Sequence, residues 1–406
     1  MSSADQTSFL RWREIPAGVW ALGLVSMLMD ISSEMIHALL PLYLVDVLHT
    51  STLTVGLIEG IAEATASITK IFSGALSDRL GRRKLLAAIG YGLAAVTRPV
   101  FALAPSVGWL VAARFIDRVG KGVRGAPRDA LIADLTSPAL RGASFGLRQS
   151  LDTVGAFLGP LLAIVFMMLT ADNFTLVFWI AVVPAFLSTA LIVFGVHEPA
   201  PHRDRVPVRT PLSRRDLARL GRPFWLVVGV ATLFTLARFS EAFLLLRAQS
   251  VGLPLALAPA VMVVMNIVYS LVAWPAGALS DRIGRYRVLT AGFVLLAAAD
   301  LVLAFAAGVP ALAVGVALWG LHMGLTQGVL ASLVSDTAPD ELRGTAFGAF
   351  NLVTGLAMLA ASIVAGRLWD VAGPRGTFLA GAFFTVLALL ALAATRSTFR
   401  APVAGT

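Results

Sequence analysis

Long apolar runs separated by short polar turns recur from about residue 17 to residue 395. Runs such as 176–195, 223–237 and 376–394 approach the roughly 20 apolar residues that a bilayer-spanning helix needs. The pattern predicts twelve helices: α1 over about 17–45, α2 over 53–75, α3 over 84–104, α4 over 107–134, α5 over 142–170 and α6 over 174–195, then α7 over 223–249, α8 over 256–278, α9 over 287–307, α10 over 310–336, α11 over 344–371 and α12 over 376–395. Several are interrupted by glycine, proline or charge, among them α3 at Arg98-Pro99 near mid-depth. Such interruptions suit a solute pathway better than a simple anchor. The expected fold class is all-α, a polytopic membrane protein.

The chain repeats itself. Residues 74–82 read GALSDRLGR and residues 277–285 read GALSDRIGR, agreeing at eight of nine positions with an offset of 203. The pattern D…LRG..FG runs from Asp134 to Gly146 and again from Asp336 to Gly348, at an offset of 202. Ser33-Glu34 in α1 aligns with Ser240-Glu241 in α7. Three matches at nearly one offset imply duplicated halves. The twelve helices then form two pseudo-symmetric six-helix bundles, 1–196 and 223–406. The Pro-rich, polar segment 197–222 reads as a cytoplasmic linker.

Charge sets the orientation. Only 14% of residues are charged, against about 25% in soluble domains. The net charge of +9 sits in short loops. The turn after α2 carries Arg79, Arg82, Arg83 and Lys84, the turn after α8 carries Arg282, Arg285 and Arg287, and 197–222 carries seven arginines. The opposite loops hold one basic residue, Arg375, besides His49. This is the positive-inside pattern rather than a nucleic-acid face, so both termini are expected in the cytoplasm and the chain in the plasma (inner) membrane. The first 18 residues do not resemble a cleaved signal peptide. There is no cysteine, which excludes thiolate metal sites, disulfides and thiol catalysis.

The doubled turn resembles the signature of the major facilitator superfamily, Gly-x-x-x-Asp-Arg/Lys-x-Gly-Arg-Arg/Lys. Gly74, Asp78, Arg79, Gly81, Arg82 and Arg83 match it fully. Gly277, Asp281, Arg282, Gly284 and Arg285 match it with Tyr286 in place of the last basic residue. The resemblance implies a cytoplasmic latch, with Asp78 and Arg82 as its residues and Asp281 and Arg285 as their counterparts. Setting a tight turn and the topology is the plainer reading of the same residues.

Charges inside the membrane cost about 2.5–3.5 kcal/mol each at mid-depth, so they normally face a cavity or a partner. In α1, Asp30, Glu34 and His37 share one face by steps of four and three. At about 1.5 Å per residue, the two acids lie roughly 20–25 Å into the membrane. A carboxylate in low dielectric can exchange a proton near neutral pH. Proton coupling and a structural ion pair both fit Asp30 and Glu34. Glu59 and Glu63 are four apart on α2, and Arg238 and Glu241 three apart on α7. Asn266 and Gln327 add polarity in α8 and α10.

In α4, Arg114, Arg118 and Lys121 share one face, with Asp117, Arg124 and Arg128 on an adjacent stripe. Arg124 and Arg128 are expected to anchor the cytoplasmic end. The run Arg118-x-x-Lys121-Gly122 resembles the superfamily's α4 motif, with Lys121 replacing its Gln, and implies a proton-transfer role for Arg118. In α5, Arg148 and Asp152 precede Gly155-x-x-x-Gly159-Pro160, which partly resembles the helix-5 motif of drug–proton exchangers. Small residues at that spacing also simply permit close packing.

These features point to a secondary transporter, expected to be a proton-coupled exporter of small molecules working by alternating access. Symport of an organic anion and metal-ion efflux through Asp30, Glu34, His37 and Glu59 are the competing transport readings. A receptor or scramblase is the reading outside transport. Proton-coupling candidates are Asp30, Glu34, Arg118, Asp152 and Glu241. Cavity candidates are His37, Glu59, Glu63, Arg98, Arg114, Lys121, Arg148, Arg238, Asn266 and Gln327. No Walker-type loop, nucleophile–base constellation or cofactor motif occurs, so an enzyme is not expected. Expected partners are a small-molecule substrate, protons and the bilayer, without nucleic acid, cofactor or resident metal, and the chain is expected to work as a monomer.

Overall fold

The computed structural model describes residues 14–137, 140–198, 212–339 and 342–396. The side chains of Ala75, Asp78 and Arg79, and residues 199–211 of the expected linker, lie outside that description.

Among the described residues the regular structure is helical. In the first half α1 is Ala17–Leu42, extended by a π-turn at Tyr43–Val47, followed by α2 Thr52–Leu80 and α3 Arg83–Leu103. Then come α4 Val107–Leu135, α5 Arg141–Leu169 and α6 Phe174–Gly195. A short helix, Arg214–Arg219, precedes α7, which comes in two pieces, Arg222–Ala237 and Ala242–Ser250. The remaining helices are α8 Ala260–Ile283, α9 Arg285–Phe305 and α10 Val309–Thr337, with α11 and α12 sharing the stretch Arg343–Ala394. That stretch divides at Gly373, whose φ of 71° is the left-handed conformation a glycine accepts without strain. Nine helices among the described residues are long and apolar enough to cross a membrane, the 52-residue Arg343–Ala394 stretch counted once. The 29-residue helices α2 and α4 are set apart by their charges. A twelve-helix membrane protein results.

The helices differ from expectation at three places. Arg98-Pro99 does not interrupt α3, which stays helical to Leu103 because Pro99 falls in its final turns. The α11–α12 connection is a kink rather than a loop. And α7 is broken at 238–241, where a continuous helix was expected.

The chain divides into two compact units, Met1–His37 with Ile68–Thr210, and Ala38–Ser67 with Pro211–Thr406. The stretch 38–67, expected with the first bundle, therefore packs with the second half of the sequence. The reason is close backbone approach. A β-carbon on Gly56 would collide with the Ser362 carbonyl, and one on Gly60 would lie 2.9 Å from Leu359 Cδ1. Asp370 of α11 caps the start of α2: Thr52 N–H and Leu53 N–H donate to its carboxylate at 3.0 and 3.1 Å, and Thr52 Oγ1 donates at 2.5 Å. Gln249, ending α7, donates to Asp46 at 2.6 Å.

In the first unit, α3 and α4 touch backbone to backbone at Gly90 and Gly120, where added β-carbons would fall 2.7 and 2.6 Å from the partner's carbonyl oxygen. Val19, Leu22, Val25, Met29, Tyr91 and Leu131 form its apolar core. In the second unit, buried rings form a continuous series: Phe293 stacks on Phe234, which meets His322, then Trp319, then Phe239, which abuts Phe243 and Phe378. Aromatic pairs at such distances add about 0.5–1.5 kcal/mol each beyond area burial. Large apolar side chains such as Phe194 and Trp274, each 82% exposed, cover the outside as lipid contact requires.

Candidate functional site

The charges of α4 fall into a buried layer. Arg114, Asp117 and Arg118 are buried, and Arg98 of α3 reaches them with no exposure at all. Arg98 Nη2 donates to Asp117 Oδ1 at 2.8 Å and to Ser33 Oγ of α1 at 2.7 Å. Arg118 Nε donates to Asp117 Oδ2 at 3.1 Å, and Arg118 Nη2 stands 3.0 Å from the same oxygen. Arg114 Nη1 is 3.9 Å away from it. One carboxylate thus holds guanidinium groups from two helices and ties both to α1. Asp117 was visible in the sequence as part of the stripe, but its central position was not, because Arg98 arrives from another helix.

A second layer lies about two turns further along α4. Arg124 sits over the Tyr91 ring, 4.9 Å from its centroid, with Nη2 at 4.0 Å from Asp30 Oδ1. Arg128 Nη1 donates to Ser26 Oγ at 2.8 Å and lies 3.9 Å from Asp152, and its Nε donates to Asp129 at 3.1 Å. Ser26 Oγ is hydrogen-bonded to Tyr91 Oη at 2.9 Å. Arg148 closes the layer, 2.8 Å from Asp152 and 3.7 Å from Asp129. The expected anchoring of Arg124 and Arg128 at the membrane surface is therefore corrected. Both turn inward, because Asp30, Asp152 and Tyr91 give them partners there.

The acids of α1 border these layers. Glu34 Oε2 lies 3.3 Å from His37 Nδ1, and the charges of Lys121 and Arg118 act on Glu34. Asp30 feels Asp152, Arg124 and Lys121. Directly against the acids stands α5. A β-carbon on Gly155 would lie 2.9 Å from Asp30 Cβ, and one on Gly159 would lie 2.5 Å from Glu34 Cβ. α5 remains helical through Pro160. Two separate sequence candidates, the α1 acids and the α5 glycines, thus form one contact.

The other candidates are distributed. Glu59, 1% exposed, lies with Glu63 on the α2 stretch that belongs to the second unit. No group of three or more Asp, Glu or His side chains suited to a metal ion comes together among the described residues. In the second unit, Arg238 stands at the break of α7, 3.8 Å from Glu241. Gln327 of α10, its amide oxygen facing the guanidinium, accepts from Arg238 Nη2 and Nη1 at 3.1 and 3.2 Å. Asn266 lies on α8, its carbonyl accepting from Ser270 Oγ. Arg247 is tied up structurally, donating to the Leu303 and Ala306 carbonyls.

The doubled turns repeat a charge pair as well as a sequence. Gly81 and Gly284 both adopt positive φ, 62° and 91°, which allows the tight reversal. After the first turn, Arg83 pairs with Asp134 at the end of α4 at 2.5 Å and donates to the Ala130 carbonyl at 3.0 Å. After the second, Arg285 pairs with Asp336 at the end of α10. The structural counterpart of Arg285 is thus Arg83, not the sequence-aligned Arg82, which is exposed. The first turn is one residue longer, and this accounts for the change of offset from 203 to 202. Of the other residues of the first turn's motif, Asp78, an expected latch residue, and Arg79 lie outside the described side chains.

The model of the Major Facilitator Superfamily matches residues 22–353 and again 242–404. A protein of Methanocaldococcus jannaschii, described as an uncharacterized MFS-type transporter, is 33% identical over 94% of this chain and 95% of its own length. A multidrug resistance protein of Cronobacter sakazakii is 31% identical over 40% of this chain and 38% of its own. Among solved structures, a nucleoside transporter superposes with a TM-score of 0.77 at 14% identity, over 94% of this chain and all of that one, which speaks for the fold alone. With two repeated turns, a repeated Arg–Asp pair, and matches that run nearly end to end, the chain belongs to the Major Facilitator Superfamily and is a secondary transporter.

Proposed function

We propose that this transporter is a proton-coupled exporter of small molecules, with Asp30 and Glu34 of α1 as its coupling acids. The observation that carries the reading is the contact of Gly155 and Gly159 with those two residues. α5 has no side chain of its own at the contact. A change of charge or hydration on either acid is therefore felt directly by the backbone of a helix that resembles the exchanger motif. Asp152 and Arg148 on that helix and Arg124 on α4 extend the same network, so a proton gained or lost on α1 alters ion pairs on three helices. The likeness to a multidrug resistance protein supports the outward direction. In this reading the two sequence halves, 1–196 and 223–406, are the bodies that move, joined by 197–222, and the packing of 38–67 with the second half is what parts in the movement. The positive-inside pattern supports cytoplasmic termini and a place in the plasma (inner) membrane, and we take the working unit to be a monomer.

The test uses proteoliposomes with an imposed pH gradient and a panel of cationic, neutral and anionic aromatic compounds. The wild type is expected to move at least one compound against its concentration gradient. Glu34→Gln and Asp30→Asn should lose the response to the gradient while keeping solute exchange at zero gradient. A double variant that still follows the pH gradient would refute the assignment. Uptake in the direction of proton flow, rather than against it, would favour symport instead.

A further inference from the structure

The break in α7 has no counterpart in α1, although Ser33-Glu34 and Ser240-Glu241 are the aligned pairs. α1 is helical throughout this stretch, and its Ser33 accepts a hydrogen bond from Arg98. In α7 the helix stops at Ala237 and resumes at Ala242. Arg238 has left helical geometry, with φ −101° and ψ 75°. The loosened backbone is patched locally: Ser240 N–H donates to Ser362 Oγ at 3.3 Å, and Ala242 N–H donates to Ser240 Oγ at 3.3 Å. Phe239 pins the break into the ring series through Trp319, Phe243 and Phe378. Non-helical backbone at membrane depth is tolerated where it is buried in protein or lines a water-filled cavity.

What the break presents is Arg238. Unlike the fully buried Arg98, its side chain is 21% exposed. Its carboxylate neighbour Glu241 is held at 3.8 Å, beyond hydrogen-bond distance, whereas Arg148 and Asp152 meet at 2.8 Å. Gln327 fixes the plane of the guanidinium by accepting from both of its terminal nitrogens. A planar fork, oriented by a neutral amide and only loosely countered, suits bidentate capture of a carboxylate or phosphate.

We propose that the break in α7 is an anion site, in which Arg238, oriented by Gln327, receives a carboxylate or phosphate group of the transported molecule. This rests on the reading of the chain as a solute exporter only for the identity of the anion as cargo, and it is independent of the coupling acids on α1. Glu241 is the internal competitor that holds the guanidinium when no solute is bound.

Equilibrium binding tests this without any pH gradient, so failure of the coupling assignment leaves it untouched. The purified protein is titrated by thermal shift with benzoate, inorganic phosphate and the uncharged benzamide. At least one of the two anions, and not benzamide, should stabilise the wild type. Arg238→Gln should weaken that anion's apparent affinity about 10–100-fold, the range for loss of a charged hydrogen-bond partner. Glu241→Gln should tighten it by removing the competitor, and this arm decides the matter if Arg238→Gln fails to fold. A parallel titration in nanodiscs with and without phosphatidylglycerol separates a lipid headgroup from a free solute. Stabilisation by the lipid alone, an anion response unchanged in Arg238→Gln, or no tightening in Glu241→Gln would overturn the proposal.

Discussion

Asp117 offers the sharpest test of the buried layer, because three guanidinium groups depend on it. Replacing it with Asn keeps the shape and one acceptor oxygen but deletes the charge. Arg98 and Arg118 then lose the carboxylate at 2.8 and 3.0 Å, and Arg114 loses it at 3.9 Å, all at sites no more than 3% exposed. At an effective dielectric of about 20, each charge pair near 4 Å is worth roughly 4 kcal/mol. Mutual repulsion of the arginines is already present and stays. Removing one partner from a buried pair costs about 3–5 kcal/mol in practice, because the remaining charge is left uncompensated. Asp117→Asn should therefore lower stability by at least about 3 kcal/mol. For a cooperative unit of this size, that is a fall of roughly 6–12 °C in melting temperature. The eight tryptophans provide the signal in a detergent melt. Adding Arg98→Gln should restore part of the loss, since it removes one of the orphaned charges. If Asp117→Asn melts within about 2 °C of the wild type, or if the double variant is simply additive, the aspartate does not hold this layer together.

Two further outcomes follow from backbone contacts. Asp370→Ala removes a cap worth about 1–2 kcal/mol from the start of α2, so a maleimide should label Val55→Cys, the only thiol in an otherwise cysteine-free chain, about 5–30-fold faster; unchanged labelling would refute the capping role. Gly159→Ala places a methyl group against Glu34 and should cost about 1–3 kcal/mol in a melt through overpacking, together with a loss of gradient-driven flux. Normal stability with normal flux would show that α5 need not press on α1.

How much was readable beforehand differs by feature. The i to i+4 pair Arg148–Asp152 and the i to i+3 pair Arg238–Glu241 were visible as spacings, since one helix alone brings such residues near each other. The partners of Arg124 were not, because Tyr91 comes from α3 and Asp30 from α1. The same holds for Asp370 and Thr52, which meet across 318 positions. The repeat misled at one residue. Sequence matching aligned Arg82 with Arg285, yet the pairing to Asp134 and Asp336 aligns Arg83 with Arg285, because the longer first turn is absorbed before the helix begins.

Hydrophobic periodicity, span length, the doubled turn and the placement of arginines determined by themselves that this chain is a duplicated, multi-pass helical transporter. These properties are local: a bilayer selects continuous apolar helices, and basic loops stay on one side. Tertiary structure decided which intramembrane charges neutralise one another and that the start of α2 packs with α11. It also decided that the glycines of α5 meet the acids of α1 and that α7 breaks where α1 does not. Each of these depends on side chains far apart in sequence arriving within a few ångströms, where close packing and charge compensation in low dielectric choose the partner.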